Sequence, residues 1–135
     1  MLKKTITYTD YDNVKRTEDF YFNLTMAELQ EKELTTPGGY AALLRKIVDE
    51  KNVPEIYKLF KSVILDSYGI KSADGRRFIK SAEISKEFTE TPAYGALLEE
   101  LTRNDNAGAE FINAVMPSDL VEKAAALTSH THNRK

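Results

Sequence analysis

Leu2-Lys3-Lys4-Thr5-Ile6-Thr7-Tyr8-Thr9, Asp10-Tyr11-Asp12-Asn13, Val14-Lys15-Arg16-Thr17-Glu18-Asp19-Phe20-Tyr21-Phe22 and Asn23-Leu24-Thr25-Met26-Ala27-Glu28-Leu29 succeed one another without a break. They decide the fold class. In the first segment Leu2, Ile6 and Tyr8 alternate with Lys3, Thr5, Thr7 and Thr9, the period of two that a half-buried strand requires. The third segment places Val14, Arg16, Glu18, Phe20 and Phe22 on one face and Lys15, Thr17, Asp19 and Tyr21 on the other. Both are rich in strand formers, and the Asp/Asn-rich segment between them is turn chemistry, so residues 2–22 predict a hairpin. Its register is left open by the sequence. At residue 25 the period changes. Thr25 and Glu28 have capping-box spacing, and Leu24 and Leu29 occupy the hydrophobic-staple positions, so a helix is expected over 26–34.

Beyond this stretch the helical pattern dominates. Thr36-Pro37 reads as a second cap with proline at the first helical position. Tyr40, Leu43, Leu44, Ile47 and Val48 then keep helical spacing to about residue 51. Asn52-Val53-Pro54 restarts the pattern, and Ile56, Leu59, Phe60, Val63 and Ile64 line one face until Gly69, read as the stop. Residues 70–80 break it again around Asp74-Gly75, a tight loop or miniature hairpin. Four further helices are expected: 82–89 after Ser81; 92–103 after Thr91-Pro92, with Leu97, Leu98 and Leu101 inward; one capped near Asn106 with Phe111, Ile112 and Val115 inward; and an Ala-rich one over 119–127. The reading is an α+β fold, mainly α: an N-terminal hairpin packed on a bundle of about six to seven helices. It makes residues 1–127 a single globular domain, with hairpin 2–22 and helices within 26–127, and residues 128–135 a flexible polar tail.

Composition bounds the function. The chain has 135 residues, 41% hydrophobic and 30% charged, with 19 basic and 21 acidic residues and a formal net charge of −2. That is ordinary globular composition, with no global electrostatic footprint for nucleic acid. Cysteine is absent, which rules out disulfides and thiolate chemistry and suits a reducing compartment. The N-terminus has no apolar h-region, and no apolar run, Val63-Ile64-Leu65 among them, approaches the ~18 residues of a membrane span. No nucleic-acid partner, no membrane and a cytoplasmic location are therefore expected.

Catalytic constellations are scarce. The two histidines, His130 and His132, both fall in the terminal segment, and two ligands alone do not make a metal site. Pro37-Gly38-Gly39 lacks the Lys-Ser/Thr ending of a phosphate loop. Glu99 and Glu100 are adjacent on a helix and point apart. Asn23-Leu24-Thr25 matches the glycosylation triplet, but Thr25 is already required as a cap. A hydrolase or transferase built on carboxylates alone would need two acids converging with raised pKa values. No catalytic, cofactor or metal residue is assigned, and no cofactor is expected.

Charge and aromatic placement point to surfaces instead. Lys71, Arg76, Arg77 and Lys80 outweigh Asp74 in residues 71–80, whereas residues 81–127 are strongly acidic. A basic loop beside acidic helices could seat an acidic partner, support self-association of copies, bind phosphate through Arg76 and Arg77, or fold back on its own helices. Phe20, Tyr21 and Phe22 are consecutive on a strand, so both faces of the hairpin need cover. The candidate partner-binding residues are Tyr8, Tyr21, Arg76 and Arg77.

Three stretches carry a family resemblance. The first is Ile6-Thr7-Tyr8-Thr9-Asp10-Tyr11 leading to Glu18-Asp19-Phe20-Tyr21-Phe22-Asn23-Leu24-Thr25. The second is Ser67-Tyr68-Gly69 with Asp74-Gly75-Arg76-Arg77-Phe78-Ile79-Lys80-Ser81, and the third is Ala109-Glu110-Phe111-Ile112-Asn113-Ala114-Val115-Met116-Pro117. In pattern and order the chain resembles the small tail assembly chaperones of long-tailed bacteriophages and of prophages in Gram-positive bacteria. The likeness fades after Pro117. The resemblance implies a non-catalytic protein of the bacterial host cytoplasm that binds the tape-measure protein and helps the tail tube protein polymerise around it. It also implies a longer form made by ribosomal frameshifting and a short form absent from the finished particle. The alternative is a structural virion protein, a tail or head-completion component, which would be found in purified particles.

Overall fold

In the computed structural model, residues 1–50, 53–103 and 105–117 are described, the side chains of 47–50 and 105 excepted. The hairpin forms as its alternation requires: β1 (Leu2–Thr9) pairs antiparallel with β2 (Lys15–Phe22) in the register Leu2↔Phe22 to Thr9↔Lys15. Asp10 closes it. Its carboxylate accepts from the Asp12 and Val14 backbone N–H groups at 2.8 and 2.9 Å and pairs with Arg16, while Asn13 adopts a left-handed φ of 63°. Asn tolerates that conformation because its short polar side chain bonds locally.

Six helices and a second pair of strands complete the described chain: α1 (Met26–Thr35), α2 (Tyr40–Glu50), α3 (Val53–Ser67), β3 (Tyr68–Lys71), β4 (Phe78–Ile79), α4 (Ala82–Thr89), α5 (Pro92–Arg103) and α6 (Asp105–Val115). The fold is α+β and mainly helical. The capping box at Thr25 and Glu28 is present in both directions, and Ser81 caps α4 through the Ile84 N–H at 3.0 Å.

Three sequence expectations are corrected. Pro37 does not open a helix. Thr36-Pro37-Gly38-Gly39 is a turn closed by Gly39 N–H to Thr36 O at 2.8 Å, with Gly38 at φ 80°, and α2 begins at Tyr40. Proline before a positive-φ glycine is a type II turn signal, which here prevails over the N1 signal. Gly69 does not stop a helix either. It lies inside β3, where a Cβ would meet the Phe78 ring at 2.7 Å and the Ile79 carbonyl at 2.9 Å, so its service is close approach. The hairpin, finally, is not alone: Tyr21↔Gly69 and Phe22↔Tyr68 join it to the miniature hairpin β3–β4 in one four-stranded antiparallel sheet of order β1-β2-β3-β4. A lone two-stranded hairpin is marginal in water, and this junction resolves the difficulty. The expected helix over 119–127 and tail over 128–135 lie outside the described residues.

Only the last two residues of β2 are paired to β3, so the two strands fork and residues 15–20 keep one edge free of strand partners among the described residues. One face of the sheet packs on helices. α5 lies against β1, α3, α4 and α6, burying Ala93, Leu97, Leu98 and Leu101. Phe22, fully buried, has ring centroids of Tyr68, Phe88 and Phe111 within 5.3–5.9 Å, and Tyr68 stacks on Phe88 at 4.2 Å. The β2–α1 connector is tied by two consecutive backbone bonds: Asn23 N–H to Ser67 O at 2.8 Å and Leu24 N–H to Val115 O at 2.9 Å. No helix among the described residues is long and apolar enough to cross a membrane.

Candidate functional site

The strand alternation sorts the candidates onto opposite faces. Tyr8 is on the helix-facing side, half-buried, its ring 6.4 Å from Phe20 and its hydroxyl donating to the Glu18 carboxylate. That hydrogen bond to an anion, with a smaller contribution from burial, raises the Tyr8 pKa. Tyr21 is on the outer side among cross-strand polar pairs such as Thr5–Asp19 and Thr7–Thr17. The Lys71 ammonium stands 5.5 Å from the Tyr21 ring centroid, a cation–π geometry. Tyr8 and Tyr21 are therefore not brought together.

The β3–β4 turn is self-contained. Asp74 accepts from the Ser72 hydroxyl at 2.7 Å and from the Arg76 N–H at 3.0 Å, and Ser72 Oγ accepts from the Arg77 N–H at 3.0 Å. The Arg76 N–H, then the Ser72 hydroxyl, hold the Asp74 carboxyl below its ordinary pKa. Among the described residues no ion pair joins the loop to the acidic helices. Arg76 and Arg77 are exposed, and among the described residues neither forms an ion pair. Lys71 leads into this turn from its place over Tyr21, so Tyr21, Lys71 and the loop lie along one continuous stretch of the outer sheet face.

Lys80 does not belong to that basic patch. Its ammonium donates to the Asn23 carbonyl at 2.5 Å, the Asp66 carbonyl at 3.0 Å and both Glu28 oxygens at 3.0 and 2.7 Å. It thus ties together the β2–α1 connector, the end of α3 and the start of α1. Burial opposes ionisation of Glu28, but Lys80 and the Thr25 N–H outweigh it and the Glu28 pKa falls. Sequence spacing could not separate Lys80 from Arg76 and Arg77, because the partners that fix it are distant in the chain.

Two concavities escaped the sequence reading. An open cleft of about 870 Å³ between α3 and α4 is lined by Lys61, Leu65, Asp66, Lys86 and Tyr94 among others. A smaller, almost wholly apolar groove of about 340 Å³ lies between α1, α2 and the end of α6, lined by Met26, Leu29, Gln30, Glu33, Tyr40, Ala41, Leu44 and Met116. Helical spacing marked Leu29, Tyr40 and Leu44 as inward but could not show that α1 and α2 leave a trough between them.

The arrangement offers surfaces to bind against. Among the described residues no three His, Cys, Asp or Glu side chains cluster to hold a metal ion, and His130 and His132 lie outside them. Among the described residues the carboxyls of Asp10, Glu28 and Asp74 are held below the ordinary range, where a carboxylate general acid needs the opposite.

In comparison with known proteins, a family model described as phage tail assembly chaperone matches the chain over residues 1–135. The match extends past Pro117, after which the resemblance read from the sequence fades, to Lys135. No curated protein and no solved structure matches.

Proposed function

From the premise that the chain belongs to the phage tail assembly chaperone family, we propose that it binds the tape-measure protein and the tail tube protein in the host cytoplasm during tail assembly, without catalysing a reaction. The match along the full chain carries this reading. A chaperone for a long helical client draws affinity from buried surface and adjustable charge and needs no reactive centre. In support, the outer sheet face offers Tyr21 beside Lys71 and two arginines, Arg76 and Arg77, that form no ion pair among the described residues. These are the proposed client contacts, with Tyr8 a lesser one reached only from the hairpin's inner side. Arginine and tyrosine are the residue types that dominate interface energetics when desolvated.

Co-expression with the neighbouring tape-measure gene product tests the reading. A soluble complex is expected that is lost when this chain is omitted and weakened when Arg76 and Arg77 are both changed to Glu. An insoluble client regardless of this chain would overturn it, as would stoichiometric recovery of the chain in purified virions, the behaviour of a structural component.

A further inference from the structure

The open cleft between α3 and α4 has none of the proposed client contacts in its lining. Both helices pack on α5, whose Tyr94 lines the space between them, and Ser85 Oγ donates to the Leu65 carbonyl at 3.0 Å, joining the two walls. On α3, Lys61 and Leu65 line the cleft and continue an i, i+4 row that begins with Val53 and Tyr57. Those two are 74% and 48% exposed. Helix α3 thus carries a second apolar row besides Leu59, Phe60, Val63 and Ile64 in the core. Tyr57 reaches the cleft, since burial, and after it the nearby Tyr57 side chain, raise the Tyr94 pKa. Charge marks the walls. The lining acids are engaged, Glu28 by Lys80 and Asp66 by Lys32. Lys61 on one wall and Lys86 on the other form no ion pair among the described residues. We infer that this cleft is a docking site for an amphipathic helix of another protein, its apolar stripe along Tyr57 and Leu65 and its acidic side chains toward Lys61 and Lys86.

Three observations select this occupant. Both walls are helices that bond their backbone groups internally, so they offer no ladder to an extended chain; the occupant must satisfy its own backbone, as a helix does. The row from Val53 to Leu65 covers about 18 Å at the helical rise, room for about three turns. The two unanswered lysines call for acid on that helix. A second copy is a poorer fit: among the described residues Leu34 on α1 and Leu43 on α2 are single exposed leucines, not a row flanked by acids. The inference goes beyond the proposed function, whose client contacts are on the sheet, and holds whichever protein supplies the helix.

The test uses the full-length chain with ¹³C-labelled leucine methyls and two stapled helical peptides of about fourteen residues. Each has one leucine stripe, flanked by Glu in the first and by Lys in the second. The Glu peptide is expected to move the Leu65 methyl resonances and to bind about tenfold tighter than the Lys peptide, a preference that added salt reduces. Lys61→Glu combined with Lys86→Glu, both at exposed positions, should reverse the order. Leu65 methyls that neither peptide moves, or equal binding of the two peptides, overturn the docking site. Leu65 methyls that move on dilution of the chain alone assign the cleft to a second copy and overturn it as well. Neither peptide derives from a tail protein, so the outcome is independent of the client.

Discussion

At the scale of single residues the most consequential side chain is Lys80, whose ammonium serves four acceptors on three segments. Glu28 answers it with a depressed pKa. A carboxylate whose folded pKa lies below its unfolded value contributes stability above the unfolded value and loses it as pH falls through the folded one. Glu28→Gln keeps the capping-box hydrogen bond to Thr25 and removes the charge. It is expected to cost about 1 kcal/mol at neutral pH, below the ~1.5–3 kcal/mol of a hydrogen bond to a charged group because the Glu28 side chain remains 35% exposed. In urea melts the difference should start to shrink as pH falls below the ordinary 4.5 and be lost once it passes the lower folded pKa. Glu28 was legible as a capping residue because that role lies within four residues. The Lys80 role was not, because its carbonyl acceptors are at positions 23 and 66 and sequence carries no trace of where a carbonyl will point.

At the scale of elements, two helical glycines make opposite demands. A Cβ at Gly95 in α5 would meet nothing within 4 Å, whereas one at Gly108 in α6 would run into the Phe60 ring of α3 and meet the Leu101 carbonyl of α5 at 3.0 Å. Gly95→Ala is expected to raise stability by about 0.5–1 kcal/mol through helix propensity. Gly108→Ala is expected to lower it by about 1–3 kcal/mol, since overpacking at the α5–α6 crossing outweighs the same propensity gain. Thermal melts of the two variants check the sign. Helices α4 and α5 were readable to the residue from Ser81 and Thr91-Pro92, because caps are local chemistry. The start of α2 was misplaced because Thr36-Pro37 satisfies both a helix start and a type II turn, and only Gly38-Gly39 beyond it decides. The four-stranded sheet was unreadable for a different reason: β2 meets β3 only after three intervening helices, and strand partners so far apart are set by packing.

At the scale of the whole molecule, Phe22 joins sheet to helices through its contacts with Phe88 on α4 and Phe111 on α6, beside Tyr68 within the sheet. Phe22→Ala is expected to cost about 3–5 kcal/mol, a large share of a domain stability of about 5–15 kcal/mol. Circular dichroism should show strand and helix signals lost at one lowered midpoint; two separate transitions would mean that the hairpin and the helices unfold independently. The candidate surface was partly legible at this scale. Tyr21, Arg76 and Arg77 could be named from aromatic and basic runs, but the separation of Tyr8 from Tyr21 required the strand alternation to be tied to one buried face.

The paired bonds from Asn23 and Leu24 to Ser67 and Val115 also set a timetable for synthesis. The second residue of the connector finds its acceptor only near the end of α6, more than ninety positions downstream. On the ribosome the connector therefore lacks its second tie until Val115 has been read, after Tyr68 and Phe88 have become available to the hairpin's aromatic side. A member of a tail assembly chaperone family thus completes its own core only late in its own synthesis.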